Sequence, residues 1–145
     1  MRLVVFLSVF ALVAGVSINA AGQVRTAEEL AKTMRRIGPA QQAASKAIQA
    51  MVYVDARKQL EIIETGLTDA QNFWIVKKRE DATKFTRETL AKIENLEKLL
   101  DAKAPDQAAI TAAYREVGVA CAACHRVYRT TDDNNKFILK PGTVD

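Results

Sequence analysis

Apolar side chains recur at steps of three and four residues along four successive stretches of the chain, a spacing that gathers them on one face of an α-helix. In the first stretch they are Leu30, Met34, Ile37, Ala44, Ile48 and Met51. Thr26 and Glu29 have the spacing of a capping box, so we predict that the helix begins there. We expect Gly38 and Pro39 to kink or briefly break it, because proline has no amide hydrogen to donate.

The second and third stretches repeat this pattern. We predict a second helix capped by Asp55 and weakened between Gly66 and Asn72. Its apolar positions are Ala56, Leu60, Ile63, Leu67 and Ala70. A third amphipathic helix is predicted from Trp74 to Asp101, with charged residues on its outer face. Its apolar positions are Ala82, Phe85, Leu90, Ile93, Leu96 and Leu100.

A fourth helix is predicted from Asp106, after Pro105, to about Arg129. One side of it carries Ile110, Ala113, Tyr114, Val117, Cys121, Cys124 and Tyr128. No stretch alternates with period two for long enough to predict a sheet. The sequence therefore predicts an all-α fold over residues 21–130, an antiparallel four-helix bundle, followed by a tail at residues 131–145 with a short extended segment at Phe137 to Leu139. Helices of about 20 residues are about 30 Å long, enough to enclose a flat ligand.

Composition agrees with one helical domain. The chain has 145 residues, of which 49% are hydrophobic and 26% charged, and it contains six glycines and three prolines. Its net charge of +4 is small and its basic residues are scattered, which argues against a nucleic-acid partner.

The N-terminal residues 1–20 have the pattern of a signal peptide. Arg2 is followed by a mostly apolar run from Leu3 to Val16, too short for a membrane span, and then by small residues near Ala20 and Ala21. We expect cleavage there, export to the periplasm and no stable membrane insertion of the mature chain. An uncleaved N-terminal anchor is the alternative.

The candidate chemistry lies in Cys121, Cys124 and His125, which are the chain's only cysteines and histidine. Cysteines three positions apart share one side of a helix, close enough for thioether bonds to the two vinyl groups of one porphyrin, and the adjacent imidazole can bind the iron. A zinc site would need a fourth Cys or His ligand, which the chain lacks. A redox-active dithiol would be expected at the start of a helix that follows a strand.

With these residues, the chain resembles the cytochrome c′ family, the class II c-type cytochromes, and within it the Met-ligated low-spin branch. The resemblance covers most of Ala27 to Arg129. It rests on the string CAACHRVYR, which begins at Cys121, and on Met34 to Gly38 in the first helix. Leu30 stands where the family usually has an arginine.

The resemblance implies an exported four-helix bundle with one covalently attached haem c per chain. It also implies that Met34 lies on the far side of the iron from His125 and that Arg129 pairs with a haem propionate. Redox proteins are the expected partners. Family members commonly form homodimers.

Two functions remain open from the sequence. In the first, His125 and Met34 both bind the iron and the protein carries electrons. In the second, Met34 only packs above a five-coordinate iron that binds nitric oxide or carbon monoxide. An enzyme is not predicted, because the sequence has no phosphate loop, no paired-carboxylate cleft and no nucleophile with a base.

Overall fold

Four long α-helices joined by short connections form most of residues 24–144, the part of the chain that the computed structural model describes. They are α1 (Ala27–Gln49), α2 (Tyr53–Val76), α3 (Glu80–Leu100) and α4 (Gln107–Tyr128). Two short strands follow, β1 (Arg129–Thr131) and β2 (Phe137–Leu139). The predicted all-α four-helix bundle is confirmed. The predicted signal peptide at residues 1–20 lies outside the described residues.

Side-chain contacts between helix ends show how the helices run. Arg57 in the first turns of α2 forms an ion pair with Asp101 at the end of α3. Gln107 at the start of α4 donates from Nε2 to the carbonyl of Ile48 at the end of α1, at 2.8 Å. Neighbouring helices therefore run antiparallel, as expected for a bundle with short connections.

The apolar stripes meet in two buried clusters. The larger one runs along the bundle, and its members include Ile37, Ile48, Leu60, Ile63, Ile93, Leu96, Ile110 and Val117. The second lies at the end where α2 and α4 finish, and it includes Leu30, Phe73, Trp74 and Tyr128. The Trp74 ring centroid lies 4.8 Å from those of both Phe73 and Tyr128.

The two helix starts with side-chain caps are confirmed. The Thr26 hydroxyl accepts from the Glu29 amide at 3.1 Å, and the Glu29 carboxylate accepts from the Thr26 amide at 2.9 Å. Asp106 accepts from the amides of Ala108 and Ala109 at the start of α4. Both arrangements satisfy amides that have no partner inside the helix.

Of the kink or short break predicted at Gly38 and Pro39, the break is wrong, because α1 runs unbroken through both residues. Pro39 cannot donate to the carbonyl of Arg35, four residues earlier. Arg35 and Pro39 are both exposed, so water can bind the Arg35 carbonyl. The helix therefore continues past a proline on its solvent side.

The predicted limits of α2 and α3 also need correction. α2 begins at Tyr53, ahead of Asp55, and runs without weakening through Gly66 to Val76. Trp74 consequently belongs to α2, and α3 begins only at Glu80. The turns on either side of α2 contain Met51 and Lys78, both with positive φ. Positive φ favours glycine. A methionine and a lysine at these positions therefore give no sequence signal for a turn.

The chain after α4 folds into a hairpin. β1 and β2 are antiparallel, with Arg129 paired to Leu139 and Thr131 to Phe137. Asp132 Oδ1 holds the turn by accepting from the amides of Asn134 and Lys136. The predicted extended segment is confirmed; its pairing with β1 was not predicted. Of the helices in residues 24–144, none has the length and apolar character of a membrane span.

Candidate functional site

A cavity of about 270 Å³ lies between the helices, near the end of the bundle that carries the second cluster. Its volume is close to the lower end of the about 300–1,000 Å³ range of ligand pockets. All four helices and the hairpin contribute to its wall. The residues singled out from the sequence all line it: Met34, Cys121, Cys124, His125 and Arg129.

Cys121 and Cys124 lie three positions apart on α4, both partly buried, and no disulfide joins them. Cys121 Sγ lies 3.6 Å from Nε2 of Gln41. Burial raises the pKa of both thiols, that of Cys124 to about 11, where the charges of Cys121 and Asp81 add to the effect. Reactive dithiols instead have lowered pKa values, so this environment does not suit thiol–disulfide exchange.

His125 follows Cys124 in the last turn of α4 and is partly buried. Burial lowers the pKa of its imidazole, and the positive charge of Arg129 lowers it further. The shift favours the neutral imidazole, the form that can donate a nitrogen lone pair to a metal. Its backbone carbonyl accepts from the Arg129 amide.

α1 provides the facing wall. Met34 lines the cavity together with Gly38 and Gln41, which lie one and two turns further along the same face. A Cβ atom added at Gly38 would meet nothing within 4 Å. The glycine therefore leaves open space beside Met34, which suits a flat ligand lying between α1 and α4.

The rest of the lining is mostly apolar. Trp74, Phe85 and Tyr128 supply aromatic surface, and Leu30, only 2% exposed, supplies aliphatic surface. The charged residues of the lining are Arg35 and Arg129, which are both exposed and hence at the rim. An apolar cavity with cations at its mouth fits a flat hydrophobic group that bears carboxylates, as a haem does.

Several lining residues were missed in the sequence. Gln41 lies seven residues after Met34, a two-turn spacing that places both on one helix face and could have identified it. Arg35 carries no such signal, because Arg36 follows it directly and the sequence does not show which of the two arginines faces the cavity. Phe137 lies in a three-residue strand, which is too short for a periodic pattern.

Tyr128 closes the cavity next to the end of α4. Its hydroxyl donates to the Asp81 carboxylate and accepts from Nη2 of Arg79 at 3.0 Å. Burial and the Asp81 carboxylate raise the pKa of Tyr128 to about 12. The same hydrogen bond holds the pKa of Asp81 below its usual value. These contacts join the start of α3 to the helix that carries the cysteines.

A four-helix bundle in which a Cys-X-X-Cys-His stretch and a methionine line one apolar cavity has the architecture of a c-type haem protein. The family model described as cytochrome C' matches residues 19–129, about three quarters of the chain. The chain therefore belongs to the cytochrome c′ family, and it is a c-type haem cytochrome. Comparison with curated proteins and with solved structures gives no significant match.

Proposed function

We propose that this protein is a periplasmic electron carrier whose single haem c is bound to Cys121 and Cys124 and has His125 and Met34 as axial ligands. The observation that carries this proposal is that Met34 on α1 and His125 on α4 line the same apolar cavity. A haem supplies one-electron transfer at its iron when bound. The roles of the surrounding side chains follow from their chemistry.

The two thioether bonds fix the position of the group on α4. His125 follows the second cysteine directly, and its burial favours the neutral imidazole, whose nitrogen lone pair can bind iron. The chain holds no second histidine, which limits the other side of the iron to a different donor.

Met34 is the donor that the chain offers there. A thioether is a soft ligand that favours ferrous iron and raises the reduction potential. Two axial ligands that stay bound in both oxidation states keep structural change on reduction small. Rapid electron transfer benefits from that rigidity.

The rim cations have a separate role in the proposal. Arg129 pairs with a haem propionate, since a guanidinium binds a carboxylate through two N–H groups. Leu30 is buried and apolar and cannot replace the family's usual arginine in this role. Arg35, also at the rim, is the second available cation.

Localisation and partners rest on the sequence. The signal-peptide pattern of residues 1–20 supports export, and one attachment motif supports one haem per chain. Redox proteins are the proposed partners.

Binding of nitric oxide or carbon monoxide is the second candidate function. Met34 is packed against members of both core clusters, as a purely structural methionine would be. The open space at Gly38 also leaves room for a small ligand. In this case His125 would be the only protein ligand of a five-coordinate iron.

Absorption spectra of the purified haem protein decide between the two. We expect low-spin spectra in both oxidation states, and conversion to high spin in Met34→Leu. Met51→Leu is the matched control, because Met51 is 61% exposed in the turn between α1 and α2. A wild-type protein that is already high spin would refute Met34 ligation and leave the gas-binding function.

A further inference from the structure

The hairpin after α4 forms one side of the haem cavity. Phe137, Ile138 and Leu139, the three residues of β2, all line it. The match to the cytochrome c′ family ends at Arg129, so β2 lies outside the matched segment. The family match therefore gives no information on this wall.

Hydrogen bonds hold the tail onto the bundle. The Lys140 amide donates to the Tyr128 carbonyl at 2.8 Å, and Lys140 Nζ donates to the Arg126 carbonyl at 2.7 Å. The Arg79 guanidinium donates to the carbonyl of Thr143. Leu139 and Val144 pack against the second cluster. The wall is thus attached to the helix that carries the cysteines and to the start of α3.

Phe137 contacts the guanidinium of Arg129. The guanidinium carbon of Arg129 lies 4.2 Å from the centroid of the Phe137 ring, a cation–π contact. A guanidinium stacked on a ring keeps its in-plane N–H groups free for a carboxylate. Phe137 lines the cavity and is 55% exposed, so it lies at the edge of the cavity rather than in the core.

We propose that the hairpin is a functional wall of the haem site, which raises the reduction potential by shielding the haem from water and by holding Arg129 at the cavity mouth. The inference rests on the proposed attachment through Cys121, Cys124 and His125. Ferric haem carries one more positive charge than ferrous haem, so an apolar wall and a nearby cation both favour the ferrous form. Phe137 is then a positioning residue that acts through Arg129.

The test is a redox titration of the haem-loaded full chain. We expect Phe137→Ala to lower the midpoint potential, with a threefold to tenfold change in the ratio of reduced to oxidised protein at a fixed potential. A tenfold change corresponds to about 59 mV for one electron. Val119→Ala is the control, because Val119 is a 59% exposed apolar side chain on α4 that lies outside the cavity lining, and we expect no shift.

Phe137→Leu isolates the contact with Arg129, because leucine keeps an apolar cover and has no ring. We expect it to lower the potential in the wild-type background and to have little further effect in an Arg129→Gln background. This cycle also decides the question if Phe137→Ala does not accumulate. Equal shifts by Phe137→Leu in both backgrounds would show that it does not act through Arg129 and would overturn the proposal.

Wild-type potentials in Phe137→Ala and Phe137→Leu, with normal haem content and helical circular dichroism, would also overturn it. Failure of the proposed function is seen separately, in the wild-type protein, as absence of covalent haem or as a high-spin spectrum.

Discussion

Gly66 on α2 lies directly against Ile37 on α1: a Cβ atom added to the glycine would be 2.9 Å from both Cγ1 and Cδ1 of Ile37. It would also be 3.4 Å from Cγ2 of Thr33. The two helices can approach this closely because residue 66 has no side chain. Ile37 also lines the haem cavity, so this contact helps to set the position of the α1 wall.

Substitution of this glycine is expected to destabilise the protein. Overpacking a core costs about 1–3 kcal/mol, and the higher helix propensity of alanine returns about 1 kcal/mol. We therefore expect Gly66→Ala to lower the free energy of unfolding by about 1 kcal/mol, measured by urea denaturation of the haem-loaded protein.

Gly118→Ala provides the matched control. Gly118 is exposed within α4, and an added Cβ there would meet nothing within 4 Å. We expect a gain of about 0.5–1 kcal/mol from helix propensity alone. If both variants were equally stable, the close approach at Gly66 would have no energetic role.

The Tyr128 hydroxyl should make the stability of the fold sensitive to alkaline pH. The folded protein raises the pKa of Tyr128 to about 12 from an ordinary value of 10.0, so folding favours the protonated hydroxyl. The resulting stabilisation is complete below pH 10 and is lost as the pH rises to 12 and above. Since one pKa unit corresponds to about 1.36 kcal/mol and solvent screens the partly buried contacts of the hydroxyl, the loss is expected to be on the order of 1–3 kcal/mol.

Tyr128→Phe should remove most of this loss, as measured by urea denaturation at several pH values. Tyr53→Phe is the control, because its hydroxyl donates to Gln107 near the other end of the bundle. A Tyr128→Phe protein that loses as much stability as the wild type between pH 10 and 12 would contradict the assignment.

The sequence predicted the parts of the fold that side-chain chemistry marks locally. The start of α1 follows from Thr26 and Glu29, and that of α4 from Pro105 and Asp106. The N-cap residues of α2 and α3 are Val52 and Arg79, and neither makes a side-chain capping bond. The start of α3 is instead held by tertiary contacts, since Arg79 binds Tyr128 and Thr143.

The sequence likewise predicted only the part of the candidate site that a local motif or the family resemblance marks. Cys121, Cys124 and His125 form one short motif, and Met34 and Arg129 come from the family resemblance; all five line one cavity. The hairpin contribution could not be predicted, because Phe137 reaches the cavity only through strand pairing and contacts with distant helices.

Covalent attachment of haem should be necessary for a packed bundle. Cys121→Ala combined with Cys124→Ala would leave the apolar cavity without the group that fills it, and cofactor binding would no longer stabilise the folded state. We expect little of the double variant to accumulate, as measured by immunoblot. Ala122→Ser is the control, because Ala122 is exposed between the two cysteines. Normal accumulation of a folded, haem-free double variant would count against this view.

The cap of α4 should stabilise the helix that carries the attachment motif. Asp106→Ala removes the acceptor for the amides of Ala108 and Ala109, at an expected cost of about 1 kcal/mol in thermal or urea unfolding. Asp106→Asn retains a side-chain oxygen acceptor and should cost much less. Equal losses in the two variants would assign the effect to the negative charge instead of the hydrogen bond.

Met34 and His125 lie about ninety residues apart in the sequence, and the packing of α1 against α4 brings both to one cavity. The ribosome completes the second half of the site only after three helices have been synthesised. Closure of so large a loop is entropically costly and slow compared with helix formation. The helices of this chain should therefore form before the two faces of the haem site come together.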